Sequence, residues 1–158
     1  MYKYNLYSYD EQGNLAKETW YDADGSLDFL WIYDEQGKLI RREWYYADGS
    51  YDVSSYDGQS NRVKNERHNA DGSLYEYNLY SYDAQDNLIK EEWYNADGSL
   101  EGYRLCDYDE QSNLTKEEWH NTDGCLTSYD LYSYDGQGNL IKKEEYDEDG
   151  SLVDYAFS

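Results

Sequence analysis

The chain alternates between two textures. Short segments such as LIKEEWY at residues 88–94 mix apolar and charged positions with a period near two, and each is closed by a polar cluster. A period of two reads as a strand. The clusters read EQGN, ADGS, EQGK, ADGS, GQSN, ADGS, AQDN, ADGS, EQSN, TDGC, GQGN and EDGS in chain order. Their Gly, Asn, Asp and Ser supply the positive-φ positions and local caps that tight hairpin connections need. No segment between turns exceeds nine residues, which is short of a stable helix. Pro is absent, so nothing interrupts a strand ladder. The pattern predicts an all-β fold. It is an antiparallel meander of about thirteen strands, twisted or curled into an open shell or spiral, in one repeat domain over residues 1–158.

A single device leads each turn, at Tyr9, Tyr21, Tyr33, Tyr45, Tyr56, His68, Tyr82, Tyr94, Tyr108, His120, Tyr134 and Tyr146, at intervals of 12, 12, 12, 11, 12, 14, 12, 14, 12, 14 and 12 residues. The turns alternate between a Gln type and an Asp-Gly-Ser type. Successive turns of a meander lie on opposite rims, so each rim collects one type, and the full repeat is two strands of 23–26 residues. Strands after Gln-type turns carry most of the Lys and Arg; strands after Asp-Gly-Ser turns are aromatic and acidic. Opposite charges can therefore pair across the ladder.

Counting along the basic strands puts Ala16 with Trp20, Ile40 with Trp44, Ile89 with Trp93, and Trp119 and Ile141 on one face. The matching set on the aromatic strands is Tyr2, Tyr4, Leu6, Leu30, Ile32, Tyr75, Tyr77, Leu79, Tyr103, Leu105, Tyr129, Leu131, Val153, Tyr155 and Phe157. This face is expected to be the more apolar one. Glu18, Arg42, Glu91, Glu117 and Lys143 also fall on it, which suits a wet interior better than a dry core.

Charge changes the picture most. Thirty-five Asp and Glu face thirteen Lys and Arg, for a net charge of −22. That balance alone suggests disorder, but 22 Tyr and 5 Trp in a regular array supply large surfaces to bury. The opening residues lack the apolar run of a secretory signal, and no stretch approaches a membrane helix. A complete chain is expected to be cytoplasmic, and an excised fragment extracellular. Both terminal strands are edges, open to end-to-end oligomerisation.

Candidate chemistry is sparse. Asp22–Gly25 and Glu148-Asp149-Gly150 resemble calcium ligands, but the pattern stops where an EF-hand would continue; a hairpin turn is expected. His68 and His120 fill slots held elsewhere by Tyr, too far apart to share a metal. Cys106, near the end of a strand, and Cys125, in a turn at the opposite rim, are about a strand length apart and are not expected to form a disulfide. No nucleophile–base set or phosphate loop occurs, so neither a catalytic site, a metal nor a cofactor is expected.

The segments Tyr9-Asp10-Glu11-Gln12-Gly13-Asn14-Leu15 and Tyr134-Asp135-Gly136-Gln137-Gly138-Asn139-Leu140 resemble the YD repeats of bacterial Rhs and insecticidal-toxin proteins and of teneurins. That resemblance implies hairpins spiralling into a β-shell, often an extracellular or toxin-encapsulating one. This chain lacks the Arg that usually accompanies the motif. The Trp-Tyr-x-Ala-Asp-Gly-Ser half is similar, over a shorter span, to choline- and glucan-binding repeats.

The functional expectation rests on the rims. Asp24, Asp48, Asp71, Asp97, Asp123 and Asp149 on one, and Asp10, Asp34, Asp57, Asp83, Asp109 and Asp135 on the other, form two negative ridges. They could imitate a nucleic-acid backbone and cover the basic surface of a nucleic-acid-binding protein, without binding nucleic acid or membrane directly. An anti-CRISPR-like inhibitor or a toxin-immunity protein fits that description. The alternatives are a wall-binding module stacking sugars on Trp20, Trp44, Trp93 and Trp119, and a structural spacer.

Overall fold

The computed structural model describes residues 3–157, so Tyr2 of the expected apolar set lies outside the described residues. Thirteen strands follow one another: β1 (Tyr4–Tyr9), β2 (Leu15–Tyr21), β3 (Leu27–Tyr33), β4 (Leu39–Tyr45), β5 (Tyr51–Tyr56), β6 (Arg62–His68), β7 (Leu74–Tyr82), β8 (Leu88–Asn95), β9 (Leu100–Tyr108), β10 (Leu114–Asn121), β11 (Leu126–Tyr134), β12 (Leu140–Asp147) and β13 (Leu152–Phe157). Their order in the sheet is their order in the chain, and every described pair is antiparallel. The all-β meander is as the sequence predicts. Contacts cluster into two units, Met1–Leu79 and Tyr80–Ser158.

Register overturns the expected face assignment. Trp20 lies opposite Asn5 of β1 and Phe29 of β3, not on the row of Tyr4 and Leu30. Leu30 instead lies between Thr19 and Glu43, and the same row continues to Val53. The cause is a bulge beside the turns. Tyr9 pairs with Leu15 but Ser8 with Lys17, leaving Ala16 unpaired; Ile40, Glu101, Ile141 and Val153 are skipped in the same way. One extra residue reverses the parity of everything beyond it. Counting straight on from the turn therefore puts the wrong side chains together.

The pair β4–β5 runs from Tyr45↔Tyr51 to Arg41↔Ser55 without a slip. It coincides with the single 11-residue interval, Tyr45 to Tyr56. The missing residue is the bulge.

Few side chains are fully enclosed. In the N-terminal unit the buried row is Thr19, Leu30, Glu43 and Val53, which face one another across β2 to β5. In the C-terminal unit the buried row is Cys106, Glu117 and Asp130, facing one another across β9 to β11. Thr19 and Glu43 hold the fifth position of their strands, and Glu117 holds the fourth. Successive positions point to opposite faces, so the two units bury opposite sides of the same repeat.

Buried charge is matched. Glu43 accepts from Arg41 Nε at 2.7 Å and from the Tyr45 hydroxyl. Glu117 accepts from Arg104 Nη1 at 2.7 Å and from the Tyr132 hydroxyl at 2.5 Å, and Arg104 Nη2 also donates to Glu91 at 3.0 Å. Burial, and then the bond to Glu117, push the Tyr132 hydroxyl well above the usual phenol range.

Candidate functional site: two rows of turn carboxylates

Both turn types share one backbone. In the first turn Asp10 N–H donates to Asn14 O at 2.9 Å and Gly13 N–H to Asp10 O at 3.1 Å, and the pattern recurs in all twelve turns. The fourth residue of each has positive φ: Gly in nine, Ser60, Asp86 and Ser112 in the others. That conformation suits Gly and costs other residues about 1 kcal/mol or more.

The acids differ in how they hold this turn. In the Gln type the first residue is the aspartate, and it folds its carboxylate over its own loop. Asp10 Oδ1 accepts from the N–H groups of Gln12 and Asn14 at 2.9 and 2.8 Å, and Oδ2 from Asn14 Nδ2 at 3.0 Å. Asp34, Asp57, Asp83, Asp109 and Asp135 accept the same two backbone bonds. In the Asp-Gly-Ser type the third residue caps: Asp24 accepts the N–H of Ser26 at 3.0 Å and its hydroxyl at 2.6 Å. Asp48, Asp71 and Asp97 repeat that geometry. In the last two turns of this type the capping atom belongs to the first residue, Asn121 or Asp147, in place of Asp123 and Asp149.

Donated hydrogen bonds favour the ionised form. The side-chain bond from Ser two residues on holds Asp24, Asp48, Asp71 and Asp97 below the ordinary carboxylate range. The Asn four residues on does the same for Asp83, Asp109 and Asp135 through its side chain, and for Asp10 foremost through its backbone N–H. These carboxylates are solvent-facing and carry full charge at neutral pH.

Neighbouring turns of the Gln row touch. Lys38 Nζ donates to Gly58 O, and Asn87 Nδ2 donates to Ser112 Oγ at 3.2 Å. Grooves lie between them in the C-terminal unit. One of about 310 Å³ lies beside Asp83, Gln85, Asn87 and Tyr108. The next, about 810 Å³, lies beside their counterparts Asp109, Gln111, Asn113 and Tyr134.

The strand faces consume the cations. Lys64–Glu66, Lys90–Glu92, Lys116–Glu118 and Lys142–Glu144 pair at 2.6–2.8 Å along their own strands. The same ammonium groups lie over Tyr77, Tyr103, Tyr129 and Phe157. Among the described residues none of the twelve turn aspartates pairs with a Lys or Arg; the pairs that form use acids elsewhere. The Lys-x-Glu-x-Tyr/His spacing that builds these pairs stands in the sequence at residues 64–68, 90–94, 116–120 and 142–146, and strand alternation would have revealed it.

The remaining candidates resolve into structure. His68 stacks on Tyr51 and His120 on Tyr103, with ring centroids 4.7 and 4.6 Å apart. Cys106 and Cys125 are free thiols. No group of three or more His, Cys, Asp or Glu among the described residues is disposed to hold a metal ion. Trp20 and Trp44 flank Phe29 in a stacked row at 5.0 and 5.4 Å. Trp93 sits instead opposite Gly102, and Trp119 opposite Ser128. No helix of the described residues is long and apolar enough to cross a membrane.

Fold and turns together define a β-hairpin repeat protein. Neither a protein-family model nor a curated protein matches the chain. Among solved structures it is similar to "TcdB2-TccC3", with TM-score 0.61 and 15% identity over 98% of this chain and 9% of that one. The chain thus spans under a tenth of that structure's length, and the likeness concerns the fold alone. A porin-like protein from Bacteroides uniformis aligns over 98% of this chain and 90% of its own, at 12% identity and TM-score 0.43. TarM aligns over 77% and 20%, at 7% identity and TM-score 0.35. Neither of the latter two carries a fold argument.

Proposed function

We propose that the chain is a non-enzymatic acidic repeat protein whose two rows of turn carboxylates bind the basic surface of another protein. The partner chemistry that suits it is a nucleic-acid-binding groove, which this protein would cover as a decoy. One observation carries the reading: Lys64, Lys90, Lys116 and Lys142 are committed to glutamates of their own strands, while none of the twelve row aspartates has a cationic partner among the described residues. Most of the twelve are also held ionised by their turns. Same-row turns recur every two strands, about 9.5 Å, so the rows offer a ladder of fixed charge. Such ladders steer association at rates that fall steeply with salt.

The test is binding of the full chain to a panel of purified nucleic-acid-binding proteins between ~50 and 500 mM salt. Expected is salt-steep binding that duplex DNA competes away. Because the aspartates also cap turns, charge is best removed at Glu11, Glu35 and Glu110, which sit in Gln-type turns and lie exposed. Binding indifferent to salt and to Glu→Gln at these three positions would sink the proposal.

The repeats themselves we assign to the YD type, on the Tyr-Asp-x-x-Gly-Asn-Leu segments and the hairpin meander they form. A second reading draws on the Trp20–Phe29–Trp44 row, in which Trp44 is exposed: a flat platform of that kind can stack a sugar ring. A glycan array probed with the chain and with Trp44→Ala decides it, and an array without hits removes it.

A further inference from the structure

Arg42 is out of step with the repeat. The fourth residue of a basic strand is Glu18 in β2, Glu91 in β8 and Glu117 in β10. The last two meet the guanidinium of Arg104 at 3.0 and 2.7 Å. Lys143 of β12, the other cation at this position, has Asp130 and Glu145 at 2.8 and 2.7 Å. Arg42 of β4 makes no ion pair and no hydrogen bond among the described residues. Its half-buried guanidinium lies instead over the rings of Trp31 and Trp44, 5.8 and 5.4 Å from their centroids. In a chain with 35 Asp and Glu, β4 thus carries the guanidinium half of a pair without its carboxylate half.

A groove of about 220 Å³ opens beside it. The stacked row Trp20–Phe29–Trp44 ends there, because β5 places Asp52, not a ring, opposite Trp44. Asp52 is matched from its far side: Arg67 Nε donates to one oxygen at 3.2 Å and the Tyr46 hydroxyl to the other at 2.7 Å. Ser54 Oγ donates to Asn65 Oδ1 at 2.8 Å, which leaves the Asn65 Nδ2 to donate into the groove. The Tyr56 hydroxyl, also in the lining, has no protein partner among the described residues. Arg62 adds a second guanidinium. The groove therefore combines a flat apolar wall, a planar cation and neutral donors. Its 220 Å³ equals about seven waters, room for one small molecule or one terminal residue of a larger one.

We infer that this groove binds a sugar carboxylate of the uronic acid class. The carboxylate accepts from the Arg42 guanidinium, the C–H face of the sugar ring lies on Trp44, and Tyr56 and Asn65 reach the ring hydroxyls. A guanidinium fork matches a carboxylate with two parallel bonds, and its seat on two indoles holds it in place before the ligand arrives. A phosphate fits less well, because its second negative charge meets the field of a chain at −22. A cationic ligand would face Arg42 and Arg62. The inference rests on the reading of Trp44 as a sugar platform and adds the charge that selects among sugars; it is independent of the turn rows.

Glucuronate, glucose and acetate are the probes, titrated in turn into the full chain at ~150 mM salt while amide and indole NMR signals are followed. Glucuronate should shift residues 42–44, 52–56 and 62–65, with a Kd on the order of 1 mM. Glucose and acetate should each bind about tenfold more weakly, the worth of one charge-assisted bond. Arg42→Lys keeps a cation beside the rings but loses the fork, and should weaken glucuronate about tenfold while leaving glucose unchanged. Tyr56→Phe should weaken glucuronate about threefold. Arg41→Lys, on the opposite face of the same strand, should change nothing. Unchanged unfolding midpoints verify that the variants are folded. Glucose bound as tightly as glucuronate overturns the carboxylate site and leaves the sugar platform standing. Acetate bound as tightly as glucuronate, or glucuronate binding indifferent to Arg42→Lys, also overturns it. An absence of glucuronate shifts at ~100 mM ligand overturns it as well; the platform reading falls only if the glycan array is empty too.

Discussion

The N-terminal and C-terminal units are built from one repeat and bury it by opposite faces. In the first, the row Thr19–Leu30–Glu43–Val53 is enclosed, and the other face carries the Trp20–Phe29–Trp44 stack, with Arg42 over Trp31 and Trp44. In the second, the enclosed row is Cys106–Glu117–Asp130. The position of Phe29, two after the leading Leu, is taken there by Gly102 and Ser128. Gly102 is buried tightly enough that a Cβ would lie 2.6 Å from His120 O. In β3, β9 and β11 the ring thus goes with the open face and the small residue with the enclosed one.

The comparison can be broken most strongly at the charges. Arg104 serves Glu91 and Glu117 at once from a largely enclosed position, so Arg104→Met leaves two carboxylates without their cation. We expect a loss of about 3 kcal/mol in urea unfolding. Arg41 serves Glu43 alone and is about half exposed, so Arg41→Met should cost no more than about 1 kcal/mol. Equal losses would mean the two interiors are energetically alike.

Phe29→Ala tests the other side and should cost about 2 kcal/mol, because it removes the centre of a stacked row on a partly open face. Gly102→Ala should cost a similar amount for the opposite reason, since His120 O must move. Thermal unfolding of both variants measures this.

Acid should act on both units alike. The capped aspartates have folded-state pKa values below their unfolded ones. Their contribution is therefore complete above the ordinary Asp range, near pH 4, and is lost as pH falls through the depressed values. Unfolding midpoints followed from pH 5 downward should drop, and Asp83→Asn with Asp109→Asn should flatten the drop. The smallest effect is expected at Ser60 and Ser112, whose φ values are 73° and 61°. Replacing either with Gly relieves the left-handed conformation and should stabilise by about 0.5 kcal/mol, one position in each unit.

Much of this architecture is legible in the sequence. Strand number and turn positions follow from the spacing of the leading Tyr or His and of the polar turn clusters, and the alternation of basic with aromatic strands from where Lys and Arg fall. Face assignment was not, because the skipped residues Ala16, Ile40 and Ile141 look like ordinary alternating apolar positions. Only the short Tyr45–Tyr56 interval hinted that one residue per hairpin is expendable. The turn acids were legible as charge, but their bonds to Asn14 or Ser26 were not, since one backbone turn can be capped from its first or its third residue. The two buried rows were hidden for a related reason: Glu43 and Glu117 sit in near-identical strings, and what distinguishes them lies on the neighbouring strands.

The sequential strand order has a kinetic corollary. Each strand finds its partners within one hairpin of chain, so no distant segments must meet before pairing becomes favourable. Ordering can begin at any turn and spread outward like a zip, giving refolding fast for an all-β protein of this size. Under load or denaturant the same logic runs in reverse, and hairpins should peel away from the two ends first.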